Sequence, residues 1–155
     1  MEKPINNPIE PCDVTVAVGA QALTAEVKAG KHSFVVDEPV KLGGLDTGPH
    51  PYDLILTALG SCTAITLRMY ANRKQWPLEK VTTHLQYQTA EKKLASEADF
   101  KQIKEIEMLV RLYGNLSDEQ VKQLAIIAGK CPVHKSLSPA FPIAMEVELS
   151  GPEFQ

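Results

Sequence analysis

Hydrophobic and polar residues alternate with a period of two in several short stretches of the chain. Val14, Val16 and Val18 face Thr15 and Ala17, which predicts a strand over Asp13 to Val18. Leu23 to Lys28 and His32 to Val36 continue the pattern, with tight turns at Gly19-Ala20-Gln21 and Ala29-Gly30-Lys31. Three short strands so connected read as an antiparallel meander. Later, Val81 to Ala90, Ile103 to Tyr113 and Ile143 to Leu149 alternate again. The polar stretch Glu91 to Lys101 reads as a hairpin connection or a mobile loop. Between the third and fourth strands the period changes. Asp37 to Pro51 carries Pro39, Gly43, Gly44, Gly48, Pro49 and Pro51, and reads as a long ordered loop of the kind that often serves a site. A helix is predicted over 51–74, with Pro51 in its first turn, Asp53 near its positive end, and Arg68, Arg73 and Lys74 near the other. Trp76-Pro77-Leu78 ends it. Ser117 and Gln120 form a capping box ahead of Val121, Leu124, Ala125, Ile127 and Ala128, and Gly129 is a stop signal. Cys131-Pro132 opens a shorter helix to about Leu137. The order β-β-β-α-β-β-α-α-β is an α+β fold.

The long helix is apolar on every side, through Leu54, Ile55, Leu56, Leu59, Ile65, Leu67, Met69 and Tyr70. Such a helix is buried in a large core or between two subunits. A chain of 155 residues has trouble surrounding it, so a homodimer is expected. Thr57, Ser61, Thr63, Thr66 and Arg68 interrupt it and argue against a membrane span.

Composition narrows the function classes. With 44% hydrophobic and 23% charged residues the chain has enough apolar surface to fold. Its net charge of −3, without a basic run, argues against nucleic acid as a partner. No apolar leader is visible in the first residues, so a cytoplasmic location is expected, with no membrane partner. The expected organisation is a Pro-rich arm over 1–12, one domain over 13–150, and a tail over 151–155.

Three cysteines in a reducing compartment point to thiol chemistry or to inert buried thiols. Cys62 lies mid-helix in Leu59-Gly-Ser-Cys-Thr-Ala64. It is either a small core hydrophobe or a nucleophile with room around it. Gly60 costs about 1 kcal/mol inside a helix, so something must approach closely there. Cys131 occupies a helix-cap position, with His134 and Lys135 one turn on, which favours a thiolate. Cys131 and His134, with Cys62 added, also have the spacing of a metal site, but no second short-spaced pair accompanies them. A nucleophilic cysteine activated by His134, His32 or His50 for acyl transfer is a further reading. Cys12 reads as incidental, and Asp37-Glu38 as solvated charges.

Several motifs occur together in order: Gly30-Lys-His32, Asp37-Glu-Pro39, Gly43-Gly44, Gly48-Pro49-x-Pro51-Tyr-Asp-Leu54, Ala58-Leu-Gly-Ser-Cys-Thr-Ala64, Thr66-Leu-Arg-Met-Tyr-Ala71, Trp76-Pro-Leu78 and Cys131-Pro-Val-His134. In this combination the chain resembles the osmotically inducible protein C / organic hydroperoxide resistance (OsmC/Ohr) superfamily, over about residues 13–150, and most of all its broad OsmC-like branch. The resemblance implies an OsmC-like α+β fold with antiparallel sheets and a long central helix, in an intertwined homodimer. It implies thiol-dependent reduction of organic hydroperoxides without a cofactor or metal, with Cys62 as nucleophile, Cys131 as resolving cysteine and an external dithiol as reductant. The peroxide-reducing branches also pair an Arg on the first strands with a Glu upstream of the first cysteine. Here no Arg precedes Arg68. Lys31 and Asp53 are the nearest matches, and Lys lacks the planar fork of Arg. The other class of function left open is a binding protein for an apolar ligand at the dimer interface.

Overall fold

A computed structural model describes residues 12–93 and 100–151. The expected arm therefore lies outside the described residues except for Cys12. The chain forms two compact units, one ending at Leu54 and the other beginning at Ile55.

The first unit is the expected meander. Strands β1 (Val14–Val18), β2 (Ala25–Ala29) and β3 (His32–Val36) pair antiparallel, Val16 opposite Val27 and Val27 opposite Phe34. Gly30 makes the β2–β3 turn at φ 58° and donates its N–H to Asp13 O. Val14, Val16 and Val18 are each 58% exposed, so β1 has no inner face within the chain.

Asp37, read from sequence as a solvated charge, is instead 1% exposed and organises the loop that follows. Its Oδ2 accepts from Thr47 Oγ1 at 2.7 Å, Thr47 N at 3.2 Å, Leu45 N at 3.2 Å and Thr24 Oγ1 at 3.3 Å. Its Oδ1 accepts from Glu38 N at 2.8 Å. Side-chain pairing with Thr47, helped by the backbone donors, outweighs burial and holds the carboxyl at about 2. The glycines let the loop close on this anion. A Cβ on Gly44 would stand 1.8 Å from Glu38 O, and one on Gly48 2.3 Å from Val35 O. The folded-state value lies below the ordinary carboxylate value, so the stabilisation is present above about pH 4 and is lost as pH falls towards 2. Acid titration followed by amide exchange at Leu45 and Thr47 is expected to show that loss, and Asp37→Asn to remove this part of the acid dependence.

Helix α1 (Pro51–Lys74) starts on a reciprocal cap. His50 Nδ1 accepts from Tyr52 N at 3.1 Å, and Asp53 Oδ2 accepts from His50 N at 3.0 Å. The helix ends in a Schellman turn. Gln75 adopts φ 54°, Gln75 N donates to Asn72 O, and Trp76 N donates to Ala71 O.

In the second unit, β4 (Leu78–Lys93) and β5 (Phe100–Gly114) pair antiparallel. Glu91–Lys93 and Phe100–Lys101, expected in the connection, belong to this ladder, because backbone pairing does not depend on side-chain polarity. The remainder of that connection lies outside the described residues. Helix α2 (Asp118–Ala128) carries the expected capping box. Helix α3 (Pro132–Leu137) follows, and β6 (Ile143–Leu149) then pairs parallel to β5. Ile106, Met108, Val110 and Leu112 on β5 are buried in strict alternation. Leu59, Leu67 and Ala71 of α1 and Leu124 and Ala128 of α2 are completely buried. Each Leu so buried contributes about 2 kcal/mol of transfer free energy. Arg68, expected to complement the helix dipole, donates instead to the carbonyls of Leu78 and Glu79 and ties α1 to the start of β4.

The burial expected all round α1 is only partly present in the single chain. Seven of its residues are buried, yet Ile65 is 58% and Met69 45% exposed.

Candidate functional site

The second unit brings together the two cysteines that the sequence singled out. Cys62 comes from the middle of α1 and Cys131 from the cap of α3. Gly60 explains the local course of α1. A Cβ there would meet Leu85 Cδ1 at 2.7 Å and Thr83 Oγ1 at 2.8 Å, so β4 side chains occupy the space beside the helix. The close approach expected at Gly60 is thus made by a strand. Ser61 Oγ donates back to Thr57 O at 2.7 Å, and Cys62 beside it is partly exposed.

Cys131 caps α3 as the sequence predicts. Its Sγ accepts from His134 N at 3.4 Å, and Pro132 follows in the first helical position. The thiolate expected at this cap position is opposed by depth. Cys131 is fully buried, and burial pushes its thiol up. The adjacent Cys62 pushes it further, through a side-chain hydrogen bond and through charge. The His134 N–H and the Thr63 hydroxyl act in the opposite direction and do not prevail. Desolvation of an anion in the core outweighs two donors.

His134 does not supply the positive charge expected of it. Burial pushes its imidazole down, towards the neutral form, and Nδ1 is buried without a hydrogen-bond partner. Its hydrogen bond to Cys131 runs through the backbone N–H, not the ring. That is not the arrangement a Cys–His acyl-transfer pair requires. Among the described residues no group of three or more potential metal ligands forms.

Lys31 and Asp53 belong to the first unit. Lys31 is exposed in the β2–β3 turn. Asp53 is occupied in the reciprocal cap of α1. His50, besides its role in that cap, meets Glu38 through Nε2 at 3.1 Å, and His32 is exposed. Cys12 is exposed and lies outside the thiol pair. One residue of the site went unread in the sequence. Thr63 follows Cys62 directly and is fully buried, with its hydroxyl towards Cys131. The visible signal was a hydroxyl residue beside the thiol on an apolar helix.

The pair as arranged can support a reaction in which an accessible sulfur reacts first and a buried one closes on it. The two thiols are near enough to act on each other, although they lie 69 residues apart in the sequence.

The fold and the sequence have relatives. The chain aligns structurally with an OsmC-like protein from Mycoplasma pneumoniae at a TM-score of 0.72 and 17% identity, covering 91% of this chain and 98% of that one. It aligns with an organic hydroperoxide resistance protein OsmC from Legionella pneumophila at 0.67 and 16%, covering 90% and 98%. It aligns with the organic hydroperoxide resistance protein OhrB of Bacillus subtilis at 0.57 and 20%, covering 89% and 98%. Among curated proteins none matches the sequence. A family model for OsmC-like proteins matches residues 44–146, which include the Asp37 loop's second half, all of α1 and the thiol pair, and the chain therefore belongs to the OsmC-like family.

Proposed function

We propose that the protein is a thiol-dependent peroxidase that reduces organic hydroperoxides. The observation that carries this reading is the pairing of a partly exposed Cys62 with a fully buried Cys131. Structural neighbours named for organic hydroperoxide resistance support it. In the first step the Cys62 thiolate attacks the terminal peroxide oxygen. The O–O bond breaks, an alcohol leaves after taking a proton, and Cys62 becomes a sulfenic acid. In the second step the Cys131 sulfur forms a bond to the Cys62 sulfur, the S–O bond breaks, and water leaves. An external dithiol then restores both thiols by exchange and is itself oxidised to a disulfide. Apolar neighbours of Cys62 on α1 favour a substrate with an alkyl tail over hydrogen peroxide. Lys31 and Asp53 stand in this reading as the counterparts of the family's Arg and Glu.

The test is peroxide consumption in the presence of a dithiol, over alkyl, lipid and hydrogen peroxides. Wild type is expected to turn over the organic substrates fastest, and Cys62→Ser to fall to the uncatalysed rate. Absence of consumption by wild type would leave the alternative of an apolar-ligand binding protein.

We further propose that the working form is a homodimer. The support is the apolar face that a single chain leaves open on α1, at Ile65 and Met69. The three exposed valines of β1 form a second such surface. A second copy of the chain is the occupant suited to a self-complementary apolar helix face.

A further inference from the structure

Thr63 is a fully buried polar side chain of α1 whose hydroxyl takes no helix carbonyl as partner. A hydroxyl inside a helix ordinarily bonds back to a carbonyl one turn earlier, as Ser61 does to Thr57 O. Thr63 Oγ1 does not, although Thr63 is 0% exposed and the oxygen is buried without a regular hydrogen-bond partner. An unpaired buried hydroxyl is costly, so its presence calls for a task that the resting thiol state does not display. The Thr63 hydroxyl stands close enough to the Cys131 sulfur to act on it. That sulfur is also buried, and it accepts from the His134 N–H at 3.4 Å.

We propose that Thr63 is a positioning residue for the second step, its hydroxyl donating to the Cys131 sulfur as that sulfur becomes anionic and holding it towards Cys62. This rests on the two-cysteine reading above and adds to it. In the thiol state both the sulfur proton and the hydroxyl proton seek acceptors, and a neutral sulfur is a poor one. Once Cys131 loses its proton, the sulfur becomes a charged acceptor with two donors on it, His134 N–H and Thr63 O–H. Hydrogen bonds to charged groups are the strong ones. The thiolate then forms the S–S bond, the sulfenic S–O bond breaks, and the departing hydroxide takes up a proton to leave as water. The influence of Thr63 on Cys131 runs in the required direction, favouring the anion against the burial that opposes it. Among the described residues, the titratable residues acting on Cys131 are Cys62 from α1 and, through its backbone N–H, His134 from α3. Neither supplies a fixed positive charge, so an uncharged donor has room to matter.

The test uses the full chain with Cys12→Ala, to silence the exposed thiol. In a Cys62→Ser background, ionisation of Cys131 is followed against pH by the ultraviolet absorbance of the thiolate. In the Cys62 protein, disulfide formation is followed after one equivalent of an organic hydroperoxide. Thr63→Val keeps the shape and removes the donor. It is expected to move the ionisation midpoint to higher pH and to slow disulfide formation roughly ten- to hundredfold at neutral pH. Thr63→Ser is expected to restore both. A merely structural role would lower stability without moving the midpoint. Equal midpoints for Thr63→Val and its parent overturn the proposal. Failure of the parent to form sulfenic acid on Cys62 defeats the peroxidase reading instead, and the midpoints still decide whether Thr63 acts on Cys131.

Discussion

In Cys131→Ser, one equivalent of an organic hydroperoxide followed by a sulfenic-acid trap is expected to place nearly all of the label on Cys62. In Cys62→Ser, Cys131 is expected to stay unlabelled over the same interval. The expectation follows from access and from charge. Cys62 is partly exposed, whereas Cys131 has no exposed surface, so a peroxide reaches only the first without local opening. Burial also keeps Cys131 protonated at neutral pH, and the thiol form is not the nucleophile. Raising the pH favours the Cys131 thiolate but does nothing for its exposure. The label is therefore expected to remain on Cys62 across the neutral range. Label on Cys131 in Cys62→Ser, with none on Cys62 in Cys131→Ser, would reverse the two roles.

Ile65→Glu is expected to convert a dimer into a chain of about 17 kDa by light scattering at micromolar concentration. Ile65 is 58% exposed in the single chain, on the same open side of α1 as Met69 one turn on. Loss of an apolar contact of this size costs about 2 kcal/mol. Twofold symmetry counts it twice, and about 4 kcal/mol is roughly a thousandfold in Kd. An unpaired carboxylate in the interface adds to that cost. Wild type running as a monomer at micromolar concentration would refute the homodimer, whatever the substitution does.

Most of the fold was legible because local rules act on local sequence. Alternating valines, the Ser117–Gln120 capping box, Pro51 at the start of α1 and the Cys131-Pro132 cap all describe neighbours in the chain. The parallel pairing of β6 with β5 was not legible, since a period of two reports a strand and not its partner. Asp37 was misread for a related reason. Its donors at Leu45 and Thr47 lie a loop away, and a lone carboxylate beside Glu38 resembles surface charge until that loop closes. The two cysteines stood out in the sequence as residues, and the order of their roles comes only as what the family resemblance implies. The acidity of Cys131 was not legible. Capping position argues for a low value at Cys131 and depth argues for a high one, and depth is a property of the assembled core. His134 failed in the same way, as a cation on paper and a buried neutral ring in the fold.

The parallel β5–β6 ladder has a consequence for the order in which the molecule is built. Antiparallel neighbours can form by a simple reversal, but a parallel pair needs a crossover, and here residues 115–142, with α2 and α3, supply it. Cys131 rides on that crossover. Its meeting with Cys62 thus depends on contacts distant along the chain, which are slow to form because loop closure comes before the gain from pairing. The long β4–β5 hairpin is more local and is available earlier. During synthesis, Cys62 emerges well ahead of both Cys131 and β6. A nascent chain therefore carries Cys62 before Cys131 can meet it, and β6, made after both, is the last of the described strands to pair.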